Sequence, residues 1–201
     1  MALSPDEVMT RVQARYEKSK AFQSRFRQES KLKAANQTDS AAGWMYFQKP
    51  CRMRWQYETP PQQKKEVVSD GRLVWMYMPQ DSLVMVYKLD QVMRSDLVMR
   101  FFSGIGQFQK DFNISWNRPP EGSGSYVIEL FPKKEQPELK RLTLTIDPGT
   151  YLLEHLEFSN ALGEETRFSF SQMKLDVDLG KDFFTFTPPP GAQVVRETPG
   201  S

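Results

Sequence analysis

Cysteine and histidine build many small catalytic and metal sites, and this chain has one of each, Cys51 and His155. A single cysteine excludes an internal disulfide and a multi-cysteine metal site, and a single histidine excludes a multi-histidine centre. A Ser/His/Asp arrangement would depend wholly on His155. That residue lies in the alternating segment 152–158, which is typical of a strand residue on a polar face. We therefore expect no metal, no cofactor and no catalytic residue.

Other signatures of chemistry are also missing from the sequence. There are no paired carboxylates in a catalytic motif, no glycine-rich phosphate loop and no activated nucleophile. The 27 Lys and Arg nearly balance the 25 Asp and Glu, so no strong positive field favours a nucleic acid. We predict that the protein is not an enzyme and binds no nucleic acid.

The apolar residues are of an unusual kind. Only 39% of the chain is hydrophobic, yet aromatic residues reach 12% and there are ten methionines. Methionine repacks around irregular ligands and aromatic rings offer broad contact, so this composition favours an adaptable apolar binding surface or a methionine-rich core. No apolar run approaches the ~20 residues that span a bilayer. The length of 201 residues favours one domain over residues 1–201.

The elements that must position these residues begin with a helix. Ser4-Pro5-Asp6-Glu7 supplies a cap, a proline at the first helical position and a capping box, so a helix begins at Pro5 and ends near Ser19. From Phe22 the hydrophobic period changes to two, which indicates strands. The further predicted strands are Trp44–Gln48, Met53–Tyr57, Lys65–Ser69, Leu73–Tyr77, Leu83–Tyr87, Ile114–Asn117, Tyr126–Phe131, Arg141–Ile146, Leu152–Phe158, Glu165–Phe170 and Gln172–Val177.

The strands form a long antiparallel meander. Asp70-Gly71 between two of them predicts a hairpin with a type I′ turn. The stretch Leu89–Gly104 has its apolar residues on one helical side, with Gly104 and Gly106 as an end and a hinge, and we predict a lid helix. Such a sheet must have one amphipathic face either covered by another layer or free to bind a ligand.

Alternation places large apolar residues together on two neighbouring strands. Met45, Phe47 and Lys49 share one face of their strand, and Met53, Trp55 and Tyr57 share one face of the next. These residues form either the wall of a binding cavity or an ordinary covered core, and periodicity does not distinguish the two.

Several segments stand in an order that belongs to a known family. They are Phe22, Phe26 and Gln28 after the first helix, Gly43 to Pro50 leading into Arg54-Trp55, Val68-Ser69-Asp70-Gly71 followed by Val74-Trp75-Met76-Tyr77-Met78-Pro79, and the ending Asp182 to Gly191. Together, across nearly the whole chain, they resemble the periplasmic outer-membrane lipoprotein carrier proteins called LolA.

The resemblance implies a mainly β fold, an incomplete (half-open) antiparallel β-barrel that encloses a hydrophobic cavity under a helical lid. It implies a periplasmic chaperone that carries the acyl chains of lipoproteins without catalysis. Its expected partners are lipid-modified lipoproteins, an inner-membrane ABC-type release complex and an outer-membrane acceptor, and the carrier is expected to be a monomer. We expect a secretory leader to have been removed ahead of Met1-Ala2.

The resemblance and the alternation together give the predicted site. The acyl-chain cavity is predicted to be lined by Met45, Phe47, Met53, Trp55, Tyr57, Trp75, Met93, Leu97 and Phe101. The family latches its lid with an arginine before the proline, and here that position holds Lys49. Because lysine lacks the planar five-donor fork, we expect a weaker latch and a less dominant closed state. Arg52 and Arg54 are nearby alternatives, although Arg54 should face away from Met53 and Trp55.

Other functions remain open from sequence alone. The acceptor lipoprotein of the same fold would need a lipidated N-terminal cysteine, which Cys51 cannot supply. A lipid-sensing relative carries a second domain, and a small half-barrel enzyme of pigment biosynthesis shares the architecture. The upstream coding sequence would distinguish a carrier, which has a leader, from an acceptor.

Overall fold

A computed structural model describes residues 3–32, 36–95, 97–103, 108–118, 122, 124–135 and 137–197. The backbone alone is described at Leu32, Arg94, Ser95, Leu97, Met99 and Arg100. Among the helices in these ranges, none combines the length and apolar character needed to cross a membrane.

The first helix, α1, runs from Pro5 to Lys18 and begins as its capping signals predict. The Ser4 hydroxyl accepts a hydrogen bond from the Glu7 N–H at 3.2 Å, and the Glu7 carboxylate accepts one from the Ser4 N–H at 2.7 Å. This reciprocal pair satisfies N–H groups that the first turn would otherwise leave without partners. The helix buries Val8, Met9, Val12 and Tyr16 along one side.

The described strands form one 12-stranded sheet that is antiparallel except for one pairing. They are β1 (Ala21–Leu32), β2 (Gln37–Gln48), β3 (Arg52–Thr59), β4 (Lys65–Asp70), β5 (Leu73–Met78), β6 (Leu83–Lys88), β7 (Phe112–Arg118), β8 (Tyr126–Pro132), β9 (Arg141–Ile146), β10 (Leu153–Ser159), β11 (Glu165–Leu175) and β12 (Gln193–Arg196). Their order is β12-β6-β5-β4-β3-β2-β1-β11-β10-β9-β8-β7. In the described part of the chain β12 and β7 end the sheet, so the predicted fold class, mainly β with an unclosed sheet, is confirmed.

Three short α-helices and two 3-10 helices complete the secondary structure of the described ranges. The α-helices are α2 (Leu89–Ser95), α3 (Leu97–Phe102) and α4 (Phe108–Asp111), and the 3-10 helices are Pro61–Gln63 and Pro79–Asp81. The predicted lid helix is therefore two short helices, α2 and α3, whereas its expected end and hinge at Gly104 and Gly106 lie outside the described residues.

Contacts divide the chain into two compact units. Unit 1 contains Met1–Ser19, Arg27–Ser40 and Gly104–Ser171, and unit 2 contains Lys20–Phe26, Ala41–Ser103 and Gln172–Ser201. In unit 1, α1 packs beside β7, and the core consists mainly of aliphatic residues of β8 to β10 such as Ile128, Leu144 and Leu156. The core of unit 2 is richer in methionine and aromatic residues, and it contains the predicted site.

Two local features differ from their predictions. The β4–β5 hairpin forms at Asp70-Gly71, with the Asp70 carboxylate accepting from the N–H groups of Arg72 and Leu73, but only Gly71 (φ +96°) has the positive φ that a type I′ turn requires twice. The predicted pair of strands near the end is one strand, β11, which continues through Gln172 at φ +53°. Neither α4 nor β12 was predicted.

Candidate functional site

Unit 2 carries a row of large apolar side chains across neighbouring strands. The register pairs Met45 with Trp55, Trp55 with Val67, Val67 with Met76, and Met76 with Met85. Side chains of register partners lie on the same face of a sheet. We call this side of β2 to β6 the methionine face.

A second row on the methionine face runs parallel to the first. Its register partners are Phe47, Met53, Ser69, Val74 and Tyr87. Ser69 is fully buried, and its hydroxyl donates to the Cys51 carbonyl at 3.2 Å, so its burial leaves no unsatisfied donor. The predicted residues Met45, Phe47, Met53, Trp55 and Tyr57 therefore do come together on one face.

Aromatic rings from β1 and α3 cover one end of this face. Phe22 packs against Phe47 with ring centroids 5.3 Å apart and against Phe102 of α3 at 5.1 Å. Phe26 packs edge-on against Trp55 and Tyr57, each at 4.9 Å. These contacts bury the β2 and β3 part of the methionine face as an aromatic core.

Burial decreases along the row toward β6. Met45 and Trp55 are 1% and 5% exposed, whereas Met76 and Met85 are only half-buried. Tyr87 is also half-buried, and burial raises the pKa of its hydroxyl. Side chains of the protein therefore cover the β5 and β6 part of the face less completely than the β2 and β3 part, and an apolar ligand reaches it more easily.

The predicted lid residues lie on two helices: α2 contacts the β5 and β6 part of the sheet, and α3 packs at the aromatic end. Helix α2 contacts β5 and β6, and Met93 within it is half-buried. Phe101 of α3 is buried and packs edge-on against Phe102 at 5.2 Å. The side chain of Leu97 lies outside the described residues. The acyl-chain role of these residues stays a prediction.

Trp75 does not lie with the other predicted site residues. It pairs with Val68 and Val86, and Val68 pairs with Arg54, so Trp75 belongs to the opposite side of the sheet. We call this side of β2 to β6 the arginine face. Its neighbour along β5, Met76, occupies the position on the methionine face that the prediction gave to Trp75.

Residues 177–197, which we call the strap, cover the arginine face. The Trp75 and Tyr77 rings lie 6.3 and 6.0 Å from the ring of Phe186. The Arg54 guanidinium donates to the Phe183 carbonyl at 2.7 Å and pairs with Glu66. Because of this cover, Val68, Val84 and Val86 on the arginine face are buried. Arg54 faces away from Met53 and Trp55, as alternation predicted.

The predicted latch residue, Lys49, lies half-buried in the turn between β2 and β3. Its backbone N–H donates to the Lys20 carbonyl at 3.0 Å. Two residues on, the Cys51 side chain hydrogen-bonds Ser103 at the end of α3, and burial raises the pKa of the thiol despite that bond. This hydrogen bond connects the turn to the end of α3. The latch role of Lys49 stays a prediction.

Sequence reasoning missed several apolar residues of this region. They are Val67, Val74, Met76, Met85 and Tyr87 on the methionine face, and Phe22 and Phe26 of β1, which pack against it. The two phenylalanines belong to a family motif but were not assigned to the cavity. Nothing in the sequence distinguishes Met76 from Trp75, since every residue of β5 is apolar.

Unit 1 contains other polar and apolar concavities. His155 lines a polar cavity of about 490 Å³, and its Nδ1 lies 3.0 Å from the Ser169 hydroxyl. Burial, aided by Arg167, lowers the pKa of His155, so the ring is neutral near pH 7. An apolar cleft of about 650 Å³ is lined by residues such as Phe131 and Leu139, and it shares no residue with the methionine face.

A family model described as "Outer membrane lipoprotein carrier protein LolA" matches residues 17–187, which include both faces and about half of the strap. The chain belongs to the LolA family. Relatives described as outer-membrane lipoprotein carrier proteins support this membership. The chain is similar to one from Nitrosomonas europaea, at 29% identity over 90% of this chain and 84% of the relative. It is also similar to one from Methylococcus capsulatus, at 26% identity over 94% and 87%.

Solved structures share the fold of this LolA-family chain. An uncharacterized conserved protein from Thermus thermophilus superposes with a TM-score of 0.61 at 14% identity, covering 96% of this chain and 98% of that one. The Mycobacterium tuberculosis lipoprotein LppX gives a TM-score of 0.52 at 10% identity, with 86% and 95% covered. At these identities the likeness concerns the fold alone.

Proposed function

We propose that this chain is a periplasmic carrier that holds the acyl chains of lipid-modified proteins on its methionine face during transfer to the outer membrane. The observation that carries the proposal is the row from Met45 to Met85, which leads from a packed aromatic core to a half-buried apolar surface. Membership of the LolA family, whose described activity is lipoprotein carriage, supports it.

The physical demand on such a carrier is large. Moving an acyl chain from an apolar environment into water costs about 0.8 kcal/mol per CH₂, so a chain of ordinary length needs an extended apolar surface. The β5 and β6 part of the methionine face offers such a surface, with Met76 and Met85 as its floor and Met93 beside it. Methionine suits this task because it has three rotatable bonds and adapts to chains of different shape.

The partners and state of the carrier follow from the same proposal. It receives lipoproteins from an inner-membrane ABC-type release complex and delivers them to an outer-membrane acceptor. It acts as a monomer made of one domain over residues 1–201, and it catalyses no reaction.

The experiment is lipoprotein release. Inner-membrane vesicles that contain the ABC-type release complex and a lipid-modified protein are incubated with ATP and the purified chain, and the supernatant is assayed for a one-to-one complex. We expect release that depends on both ATP and the chain. If the lipoprotein stays with the vesicles under these conditions, the carrier proposal is wrong.

Two substitutions on one strand locate the acyl chains. Met76→Asp places a charge on the methionine face, whereas Leu73→Asp places it on the arginine face, and both positions are half-buried. A charge on an acyl-binding surface is costly unless it is paired. We expect Met76→Asp to weaken binding of a fluorescent fatty acid about tenfold or more and Leu73→Asp to leave it nearly unchanged.

A further inference from the structure

Among the described strands, β12 has a neighbour on one side only, which is β6. It runs parallel to β6, with Gln193 opposite Leu83 and Val195 opposite Met85. The Gln193 N–H donates to the Ser82 carbonyl at 2.8 Å, and the Glu197 N–H donates to the Val86 carbonyl at 3.1 Å. In a parallel pair, every second residue directs its N–H and C=O groups toward the same neighbouring strand. Val195 lies between Gln193 and Glu197 in this alternation, so its backbone groups also point toward β6.

The intervening residues direct their backbone groups the other way. The N–H and C=O groups of Val194 and Arg196 point away from β6, and among the described residues no strand pairs with that side of β12. Val194 and Val195 are 42% and 37% exposed. Within the described part of the chain, β12 therefore presents a short, apolar edge with unpaired backbone donors and acceptors, which is the geometry that accepts an added strand.

This edge continues the methionine face. Val195 is the register partner of Met85, which is the partner of Met76, so the apolar row ends at the side chain of Val195. The row is most exposed in this same region, at Met76 and Met85. An acyl chain on β5 and β6 therefore lies beside β12, and the polypeptide attached to it is brought to the edge.

We infer that β12 is a docking edge for the extended polypeptide that follows the lipid-modified residue of a bound protein, an inference that rests on the proposed acyl-carrier function. Acyl chains on the methionine face anchor the first residue. The next residues add to β12 as a strand through the backbone groups of Val194 and Arg196. Main-chain hydrogen bonds do not depend on side chains, so the edge accepts different protein sequences.

Synthetic ligands separate the lipid from the peptide. Three are compared: a diacylglyceryl-cysteine amide, the same lipid on a cysteine followed by six polar residues, and that lipopeptide with N-methyl groups at alternate residues. We expect the lipopeptide to bind about tenfold more tightly than the amide, from a few added backbone hydrogen bonds. The N-methylated form should return to the affinity of the amide. Equal affinities for the three ligands overturn the inference while leaving acyl binding intact, whereas no binding of the amide contradicts the proposed function itself.

Variants and amide exchange test the edge directly. Val194→Pro removes a donor that points away from β6, and we expect it to abolish the advantage of the lipopeptide but not binding of the amide. Val194→Ala keeps the N–H and should retain that advantage.

In the unmodified chain, lipopeptide should slow exchange of the Val194 and Arg196 N–H groups. Unchanged exchange in the bound state overturns the inference, and so does ligand-free protection that grows with protein concentration, since the occupant would then be a second copy.

Discussion

At the scale of single residues, Arg54 connects two parts of unit 2 that are far apart in sequence. Its Nε donates to Glu66 on β4, its Nη1 donates to the Phe183 carbonyl of the strap at 2.7 Å, and its guanidinium lies 5.2 Å from the centre of the Phe183 ring. Only a planar fork with several fixed donors makes these contacts at once. Arg54 therefore links the strap to β3 and β4.

We predict that Arg54→Lys lowers the free energy of unfolding by about 1–3 kcal/mol, because lysine cannot bond both partners from one position. Arg27→Lys is the matched control, since Arg27 pairs with Glu29 but is 64% exposed, and we expect less than about 0.5 kcal/mol there. Urea unfolding of the two variants measures the difference. Equal losses would show that the Arg54 contacts do not support the fold.

Tyr16 gives unit 1 a pH-dependent stability. It is buried, and its hydroxyl oxygen accepts a hydrogen bond from the Leu153 N–H at 3.0 Å. Burial raises the pKa of Tyr16 far above its usual value, and the smaller opposing effects of the Leu153 bond and of Arg15 do not cancel that rise. The fold therefore holds the neutral phenol.

The sign of the pH effect follows from that shift. Below pH about 10 the phenol is neutral in both the folded and the unfolded chain, so its contribution is constant. Above that pH the unfolded chain ionises first, and the free energy of unfolding falls as the pH rises. We predict that the free energy of unfolding of Tyr16→Phe, measured with urea, falls less between about pH 9 and 12 than that of the unmodified chain. At pH 7 we expect the substitution to lower the free energy of unfolding by about 1–3 kcal/mol, because the Leu153 N–H loses its acceptor. Parallel pH dependences in the two proteins would contradict this account.

At the scale of elements, the strap explains why β5 and β6 carry apolar residues on both sides. Phe183, Phe184 and Phe186 come from the strap, and Phe184 is 3% exposed. The strap ends in β12, which protects the edge of β6 by parallel pairing. The same segment therefore both covers the arginine face and forms the docking edge that borders the methionine face.

Amide exchange in helices α2 and α3 provides a test of the predicted latch. Lys49 stands where the resemblance to LolA implies an arginine, and the turn that carries it reaches the end of α3 through Cys51 and Ser103. We predict that Lys49→Arg slows amide exchange in residues 89–95 and 97–103 of the ligand-free chain about threefold or more, because a guanidinium bonds two lid carbonyls at once. Lys65→Arg, on β4, should leave those amides unchanged. If both variants exchange as the unmodified chain does, Lys49 is not a latch.

At the scale of the whole molecule, the prediction of one domain over residues 1–201 means that the two contact units should unfold together. The contact units share strands: β1 and β2 each contribute residues to unit 1 and to unit 2, and β11 contributes Gln172 and the residues after it to unit 2. Each unit therefore contains strands of which the other unit holds the remaining part. We therefore keep the proposal that the chain folds as one domain.

We predict a single calorimetric unfolding transition in which the calorimetric and van't Hoff enthalpies agree. The reason is that unfolding either unit frees part of a strand that belongs to the other. Tryptophan fluorescence, to which unit 2 contributes Trp44, Trp55 and Trp75 and unit 1 contributes Trp116, should follow the same curve as far-ultraviolet circular dichroism. Two separated transitions would show that the units are independent domains.

The sequence by itself determined α1 with its cap, the positions of most strands and the alternation on β2 and β3. Each of these depends on local spacing: a capping box, a change of period, and large apolar residues that alternate with polar ones. The ordered motifs also sufficed to indicate the family. The residues Met45, Phe47, Met53, Trp55 and Tyr57 were predicted to share a face for this reason, and they do.

Only the tertiary structure decided which side of β5 faces the site and where the sheet ends. Because the strap covers the arginine face, Leu73-Val74-Trp75-Met76-Tyr77-Met78 is apolar throughout, and its period gives no direction. The pairing of β12 with β6 joins residues more than a hundred positions apart and leaves no local signal in four exposed residues. The placement of Trp75 away from the site and of Met85 beside the open edge therefore depended on long-range register, which neither composition nor spacing contains.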